Sequence, residues 1–93
     1  MITVLIERHI VPGMASTYEN YATKIIQTSV SAPGFISGES LKGIEDPNVR
    51  YIVIKVSSMQ DWQNWLTSTE RRKVVSLLTP ILVRPEKITL LTK

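Results

Sequence analysis

The sequence predicts an α+β domain built on one antiparallel sheet, with its elements in the order βαββαβ. Three observations support this fold class: runs of β-branched residues, stretches with helical spacing of apolar side chains, and Pro-Gly pairs between them. Domains commonly contain about 100 to 150 residues, so residues 1–93 are expected to form a single domain. The simplest arrangement is one sheet with the helices on the same face.

The first strand and the first helix are separated by a turn. Ile2 to Ile10 is rich in Ile, Val and Leu, and it is too short before Pro12-Gly13 to form a stable helix. From Tyr18 to Val30, apolar and aromatic side chains then recur at helical spacing. Ser16 and Glu19 have capping-box spacing, which predicts that the helix begins near Ser16 or one turn earlier.

Two strands follow the Pro33-Gly34 pair. Phe35 to Lys42 alternates, and the residues expected on one of its faces are Phe35, Ser37, Glu39 and Leu41. Asp46-Pro47-Asn48 predicts a turn, because proline presets φ and asparagine tolerates left-handed geometry. Val49 to Val56 is the clearest strand, since most of its residues are β-branched or aromatic.

The C-terminal part predicts a short helix, a second helical stretch and a last strand. Ser58 and Asp61 have the spacing of a helix cap, as do Thr67 and Glu70. The stripe expected on the short helix is Met59, Trp62 and Leu66, with Trp65 on its flank. The set expected on the second stretch is Val74, Leu77, Leu78 and Ile81. Lys87 to Thr92 predicts the last strand.

Both faces of the predicted sheet are apolar. In the third strand, Tyr51 and Val53 point away from Ile52 and Ile54, and in the first strand Leu5 points away from its neighbours. An antiparallel sheet that helices cover on one face normally carries polar residues on the other. We therefore expect a second copy of the chain to pack on the uncovered face and form a homodimer.

Composition excludes several classes of function. The chain has no cysteine and one histidine, so neither a thiolate zinc site nor another metal site is expected. Its net charge is only +3, and the single basic run, Arg71-Arg72-Lys73, has no interleaved aromatic residue, which argues against nucleic-acid binding. No secretory signal and no stretch long enough to span a membrane is apparent. A cytoplasmic protein without membrane partners is expected.

Several short runs together resemble the antibiotic biosynthesis monooxygenase family. These runs are Pro12-Gly13, Pro33-Gly34-Phe35, Asp46-Pro47-Asn48 and Trp65-Leu66-x-Ser68-x-Glu70-Arg71-Arg72. The resemblance extends from Ile2 to about Leu91. It implies a ferredoxin-like subunit that dimerises through its sheet into an α/β barrel, with a ligand pocket between the sheet and the helices of each subunit.

The resemblance also implies a reaction. Some members are oxygenases of aromatic polyketides that use neither metal nor flavin, while others degrade haem or process a quorum signal. We expect a cofactor-independent monooxygenase acting on a small aromatic or quinone-like molecule, whose anion reduces oxygen directly. The alternative is a non-catalytic, dimeric ligand-binding or stress-related domain. A cavity of about 300 Å³ lined by Trp65 and convergent polar groups would favour the enzyme.

The candidate catalytic residues are His9, Trp65 and Arg72. His9 is the only imidazole and a natural proton acceptor near neutral pH, although a lone histidine is usually a surface or structural residue. Trp65 matches a pocket tryptophan of oxygenase relatives, or it packs in the core. Arg72 could stabilise an anionic substrate, as an arginine does in some relatives, or the Glu70-Arg71-Arg72 run only caps and solvates a helix. The candidate pocket residues, which could equally belong to the core or to an interface, are Tyr18, Tyr21, Tyr51 and Trp62.

Haem chemistry does not transfer to this chain. Haem-degrading members have an asparagine on the first strand and a histidine on the helix after the tryptophan. Here the first strand offers Ile6 or Glu7, and residues 71–78 contain no histidine. A haem iron would lack its proximal ligand, so no cofactor is expected.

Overall fold

The structure is a computed structural model that describes residues 1–93. Its strands and helices are β1 (Ile2–His9), α1 (Ala15–Ser29), β2 (Phe35–Lys42), β3 (Val49–Val56), α2 (Met59–Leu66), α3 (Thr69–Leu78) and β4 (Lys87–Leu91), with a short 3₁₀ helix, Thr79–Ile81, after α3. The predicted α+β class and element order are confirmed, with α2 and α3 together in the place of the second helix. None of these helices has the length and apolar character that a bilayer crossing requires.

The four strands form one antiparallel sheet in the order β2-β3-β1-β4. β1 lies at the centre and pairs along its whole length with β3, from Ile2 opposite Val56 to His9 opposite Val49. On its other side β1 pairs with β4, from Thr3 opposite Leu91 to Glu7 opposite Lys87. The first and last strands of the chain are therefore neighbours.

The helices cover the face of the sheet that carries the even-numbered residues of β1 and β3. Two clusters fill the space between sheet and helices. The first contains Val4, Ile6, Ile52, Ile54, Val56, Trp62 and Trp65. The second contains Ile10, Tyr18, Ala22, Ile25, Leu78 and Ile81. The even-numbered face also buries two arginines, Arg8 and Arg50, at the end of the sheet where β1 finishes and β3 starts.

The opposite face of the sheet, called the open face below, contributes no residue to either cluster. Leu5, Tyr51 and Val53 lie on it and are half-buried, and Leu41 beside Tyr51 is 44% exposed. The sheet therefore has two apolar faces, as the alternation in β1 and β3 predicts.

Helix caps agree with the sequence at one of three positions. The Ser58 hydroxyl accepts a hydrogen bond from the Asp61 backbone N–H, as predicted for α2. The capping box at Ser16 is wrong, because α1 begins at Ala15 after Met14 and has no side-chain cap. The cap of α3 is Ser68 and not the predicted Thr67. The Ser68 hydroxyl accepts a hydrogen bond from the Arg71 backbone N–H.

Some predicted faces also need correction. A bulge between Phe35 and Ser37 turns Phe35 toward the first cluster, while Ser37 and the alternating residues after it stay on the open face. In α2, Trp62 and Leu66 of the predicted stripe pack in the first cluster, but Met59 is exposed, and Trp65, expected on the flank, is buried. In α3, Leu77 is exposed. The buried side of α3 carries an arginine instead.

Candidate active site

Trp65 lies between a surface groove and a small interior cavity. The groove, called the outer groove, runs between the end of α1 and the α2–α3 junction and has a volume of about 250 Å³. Its polar lining consists of Thr28, Ser31, Asp61, Asn64, Ser68 and Glu70. Ala32 and Pro33 add an apolar wall beside the indole. A molecule the size of a single aromatic ring fits in this space.

The interior cavity, called the inner cavity, lies between the sheet and α1. Trp65 forms part of its wall as well, together with Ile6, Ile25 and Ile52. Its volume of about 10 Å³ holds roughly one water molecule. Arg8, Arg71 and Ser29 also contribute to this wall, so a mainly apolar space is lined by two arginines.

Those guanidinium groups share a single carboxylate. The Arg8 Nε donates to Glu86 at 2.9 Å, and an Nη of Arg71 donates to the other oxygen of Glu86 at 2.5 Å. The side chains of Arg8, Arg71 and Glu86, called the arginine cluster below, are 2%, 8% and 13% exposed. The second guanidinium nitrogen of Arg8 donates to the Tyr18 hydroxyl at 3.3 Å. Buried charges are tolerated when they are paired and hydrogen-bonded in this way.

Local sequence explains how each member reaches the cluster. Arg8 continues the alternation of Val4 and Ile6 in β1, so its side chain enters the helix-covered space. Arg71 precedes Leu78 by two helical turns and shares the buried side of α3 with it. Glu86 comes directly before β4, whose register places Lys87 opposite Glu7 and so brings Glu86 beside Arg8.

Glu86 is held in its charged form. Burial raises the pKa of its carboxyl, but the charges and hydrogen bonds of Arg8 and Arg71 outweigh burial, and the net pKa lies below its usual value. A carboxylate fixed by two arginines is a poor proton acceptor. Its role is therefore to hold the two guanidinium groups in place.

The outer groove contains two further carboxylates in different settings. Asp61 accepts hydrogen bonds from the hydroxyls of Ser57 and Ser58, at 2.5 and 3.0 Å. Gly34 packs so closely on Asp61 that a Cβ at this glycine would overlap the carboxylate. Glu70 is exposed at the start of α3. Asp61 is thus a fixed wall of the groove, and Glu70 is the carboxylate that a ligand can reach.

Comparison with known proteins assigns the chain to a family. The sequence model of the antibiotic biosynthesis monooxygenase family matches residues 1–77. The chain belongs to this family. No curated protein matches the sequence.

Solved structures agree with the family at the level of the fold. A structure described as an antibiotic biosynthesis monooxygenase aligns with a TM-score of 0.92 at 11% identity, covering 100% of this chain and 98% of the other. A putative antibiotic biosynthesis monooxygenase from Nitrosomonas europaea aligns with a TM-score of 0.92 at 10% identity, covering 99% and 88%. A variant of SnoaB, a cofactor-independent oxygenase from Streptomyces nogalater, aligns with a TM-score of 0.86 at 14% identity, covering 99% and 92%.

The three candidate catalytic residues of this family member do not lie together in one site. Trp65 alone lines the outer groove and the inner cavity. His9 lies on the open face, where its ring nitrogens meet Glu7 at 2.9 Å and Arg84 at 3.4 Å. The His9 hydrogen bond is the main cause that lowers the pKa of Glu7. Arg72 is exposed on α3, on a different side of the helix from Arg71.

The candidate pocket residues are also divided. Trp62 is fully buried, with the Arg71 guanidinium 6.0 Å from its ring centre. Tyr18 is buried near two guanidinium groups. Its ring centre lies 5.9 Å from the guanidinium carbon of Arg8 and 5.5 Å from that of Arg50. The remaining two are Tyr21, half-buried beside the second cluster, and Tyr51, on the open face. None of the four lines the outer groove or the inner cavity.

Sequence reasoning missed the arginine cluster. The available signals were Arg8 in the buried phase of β1 and Arg71, the neighbour of Arg72, two turns before Leu78. No sequence signal marks Glu86, because its position depends on pairing between the two ends of the chain. No group of three or more His, Asp or Glu side chains is arranged to hold a metal ion.

Proposed function

We propose that the chain is a cofactor-independent monooxygenase that acts on a small aromatic or quinone-like molecule bound beside Trp65. Membership of the monooxygenase family supports this proposal, and so does the fold shared with SnoaB. The observation that carries it is the position of Trp65 as a common wall of the outer groove and the inner cavity, with Arg71 beyond it. An aromatic ring in the groove would lie against the indole.

The proposed reaction needs no external reductant. A hydroquinone loses a phenolic proton, and the electron-rich anion passes electrons to molecular oxygen. One oxygen atom enters the ring and the other leaves as water, so that hydroquinone and oxygen give hydroxyquinone and water. The protein contributes binding, stabilisation of the anion and acceptance of the proton.

Glu70 is the proposed proton acceptor. Its carboxylate is exposed at the groove, whereas Asp61 already accepts two serine hydroxyls and Glu86 is held by arginines. His9, the acceptor expected from the sequence, lies on the open face.

Oxygen uptake with a panel of hydroquinones tests this function. We expect uptake above the rate without protein and one labelled oxygen atom in the product when labelled oxygen gas is supplied. Glu70→Gln should lower turnover by about a hundredfold or more, because a positioned acid or base typically contributes about 10²- to 10⁴-fold. Glu45→Gln, in an exposed turn, serves as the matched control. Product without labelled oxygen, or hydrogen peroxide as the only product of oxygen, would contradict the proposal.

A second candidate function follows from the size of the inner cavity. A cavity of about 10 Å³ is too small for a ring, which favours a non-catalytic binding domain with Trp62 and Trp65 as core residues. Mass spectrometry of molecules that co-purify with the chain tests this alternative. An unmodified aromatic ligand that is bound in stoichiometric amount and does not react with oxygen would favour the binding domain.

We also propose that the chain forms a homodimer through the open face. Leu5, Tyr51 and Val53 provide an apolar centre for such an interface, and Leu41 extends it. Burying this area against a second copy would remove apolar surface from water.

A further inference from the structure

The outer groove is acidic, although the chain as a whole is basic. Asp61 and Glu70 give its lining two formal negative charges, and none of the 11 Lys and Arg residues of the chain lines it. The buried guanidinium of Arg71 lines the inner cavity instead. Opposite charges attract and like charges repel at the short distances found inside a groove. A ligand with a positive charge is therefore favoured here over one with a negative charge.

The hydroxyl groups of the outer groove offer acceptors to a ligand. The hydroxyls of Thr28, Ser31 and Ser68 each donate to a backbone carbonyl of the chain. A hydroxyl has one proton to donate, so only its lone pairs remain for a ligand. The other side-chain donors of the lining, the Asn64 amide and the Trp65 indole N–H, are neutral. The groove therefore suits a ligand that brings donors of its own.

The end of α1 adds to the negative potential of the outer groove. The C-terminal end of a helix is its negative pole and attracts cations. Thr28 places this end of α1 in the lining, and the last turn of α1 contains no basic residue. The starts of α2 and α3 would attract anions, but each already carries an acidic residue in its first turn, Asp61 and Glu70. Side-chain charge and helix direction thus both favour a cation.

We propose that the outer groove selects phenols that carry an ammonium group, with the ring against the Trp65 indole and the ammonium beside Asp61. This inference rests on the proposed function and names its substrate class. Two serine hydroxyls hold the Asp61 carboxylate, so its charge is fixed before a ligand arrives. No side chain has to move, because the groove of about 250 Å³ is already a surface feature of the free chain.

The same arrangement assists the proposed reaction. Glu70 remains free to accept the phenolic proton, because the ammonium lies beside Asp61. Loss of that proton creates a phenolate in a groove whose lining has no cationic side chain. The ammonium group of the ligand offsets this negative charge, so the substrate itself supplies the cation that the lining lacks.

Calorimetry with three phenols tests the proposal without any turnover. Tyramine, 4-(2-hydroxyethyl)phenol and 4-hydroxyphenylacetate share a phenol ring and a short side chain, which at neutral pH is positive, neutral and negative in turn. We expect affinity to fall in that order. Tyramine should bind about threefold to tenfold more tightly than the neutral phenol, because charge-assisted hydrogen bonds are stronger than neutral ones but are weakened by water and salt at a surface. Equal affinity of the three, or no measurable binding of tyramine, would overturn the proposal.

Two aspartates supply a matched pair of variants. Asp61→Asn removes the charge in the groove and keeps an oxygen that can accept the serine hydroxyls. Asp46→Asn makes the same change in the turn before β3, outside the groove. Tyramine and the neutral phenol should bind the first variant with nearly equal affinity, while the second keeps the preference for tyramine. A preference that survives Asp61→Asn, or that is lost in Asp46→Asn, would place the ammonium elsewhere and overturn the assignment.

Salt dependence keeps the proposal testable if Asp61→Asn does not fold. Salt screens charges that are exposed to solvent, so the preference of the unmodified chain for tyramine should shrink in concentrated sodium chloride. A preference that salt leaves unchanged would not arise from the charge of the groove, and the inference would fail.

Binding and turnover can fail separately. If tyramine is preferred but no hydroquinone consumes oxygen, the proposed reaction fails while this ligand class stands. If oxygen uptake is present without the preference for tyramine, only the ligand class fails.

Discussion

Arg8 and Glu86 are 78 positions apart in the chain, and their side chains meet at 2.9 Å. This ion pair connects β1, one of the two inner strands of the sheet, to the residue before β4. Arg71 joins the pair from α3, so one carboxylate ties together three parts of the fold. The stability of the fold is expected to depend on this cluster.

Replacing Glu86 by glutamine should destabilise the chain strongly at neutral pH. Removal of one partner from a buried ion pair costs about 3 to 5 kcal/mol, because the remaining charge stays buried without compensation. The free energy of unfolding, measured with urea, gives the change directly. Glu45→Gln, in an exposed turn, is the control and should change stability little. Equal effects of the two substitutions would contradict a structural role for the cluster.

The pH dependence of stability should report the same carboxylate. Burial raises the pKa of Glu86, but Arg8 and Arg71 bring the net pKa below its usual value of 4.5. The unfolded chain then takes up the proton at a higher pH than the folded chain does. The stabilisation is complete above pH 4.5 and is lost as the pH falls through the lower pKa of the folded state. Urea unfolding from pH 7 downward should show this loss, and Glu86→Gln should lack its contribution.

Trp65→Phe should separate ligand binding from stability. A large aromatic side chain is kept, so the free energy of unfolding should change by no more than roughly 1 to 2 kcal/mol. Affinity for an aromatic ligand, or oxygen uptake with a hydroquinone, should fall by about tenfold, because phenyl lacks the width and the N–H of indole that position the ring.

Trp62→Phe is the matched control for Trp65→Phe. Trp62 lies on the same helix and is buried, but it lines neither the outer groove nor the inner cavity. It should affect stability without changing binding by the folded protein. If both substitutions lower stability equally and neither alters binding, Trp65 is a core residue and the non-catalytic domain is favoured.

The fold was more predictable than the site. Strand bounds in β2 and β3 follow from local turns and β-branched residues, and both agree with the structure. The N-cap of α3 shows the limit of this approach. Thr67 and Ser68 both carry a hydroxyl that can cap a helix, so the sequence alone does not decide which of them is the N-cap, and in the structure it is Ser68. Arg71 and Arg72 present the same difficulty. They are neighbours on one helix, yet the side chain of Arg71 is buried and that of Arg72 is exposed.

Gly34 should tolerate alanine less well than Gly13. Both glycines have positive φ, 83° and 89°, which costs a non-glycine residue about 1 to 3 kcal/mol. At Gly13 a Cβ would meet open space, but at Gly34 it would overlap the Asp61 side chain. Gly34→Ala should therefore lower the melting temperature further than Gly13→Ala does. Calorimetric melting of both variants checks this order, and equal melting temperatures would contradict the packing of Gly34 on Asp61.

A charge at the centre of the open face should prevent dimer formation. Val53→Lys places an ammonium group between Leu5 and Glu39, the residues paired with Val53 on either side. The control is Ile44→Lys, which removes an apolar side chain that is already fully exposed in a turn. Sedimentation velocity should give a dimer for the unmodified chain and for Ile44→Lys, and a monomer for Val53→Lys. A monomeric unmodified chain at micromolar concentration would refute the proposed interface.

The central position of β1 has a consequence for the order of events during synthesis. β1 leaves the ribosome first, yet one of its two edges stays unpaired until β4 has been made. Arg8 likewise has no carboxylate partner until Glu86 has been made, so its guanidinium is unpaired in a shorter nascent chain. Long-range pairing of this kind slows folding relative to local pairing. The sheet is therefore complete only when β4 is present, and a product truncated before β4 would expose a strand edge prone to aggregation.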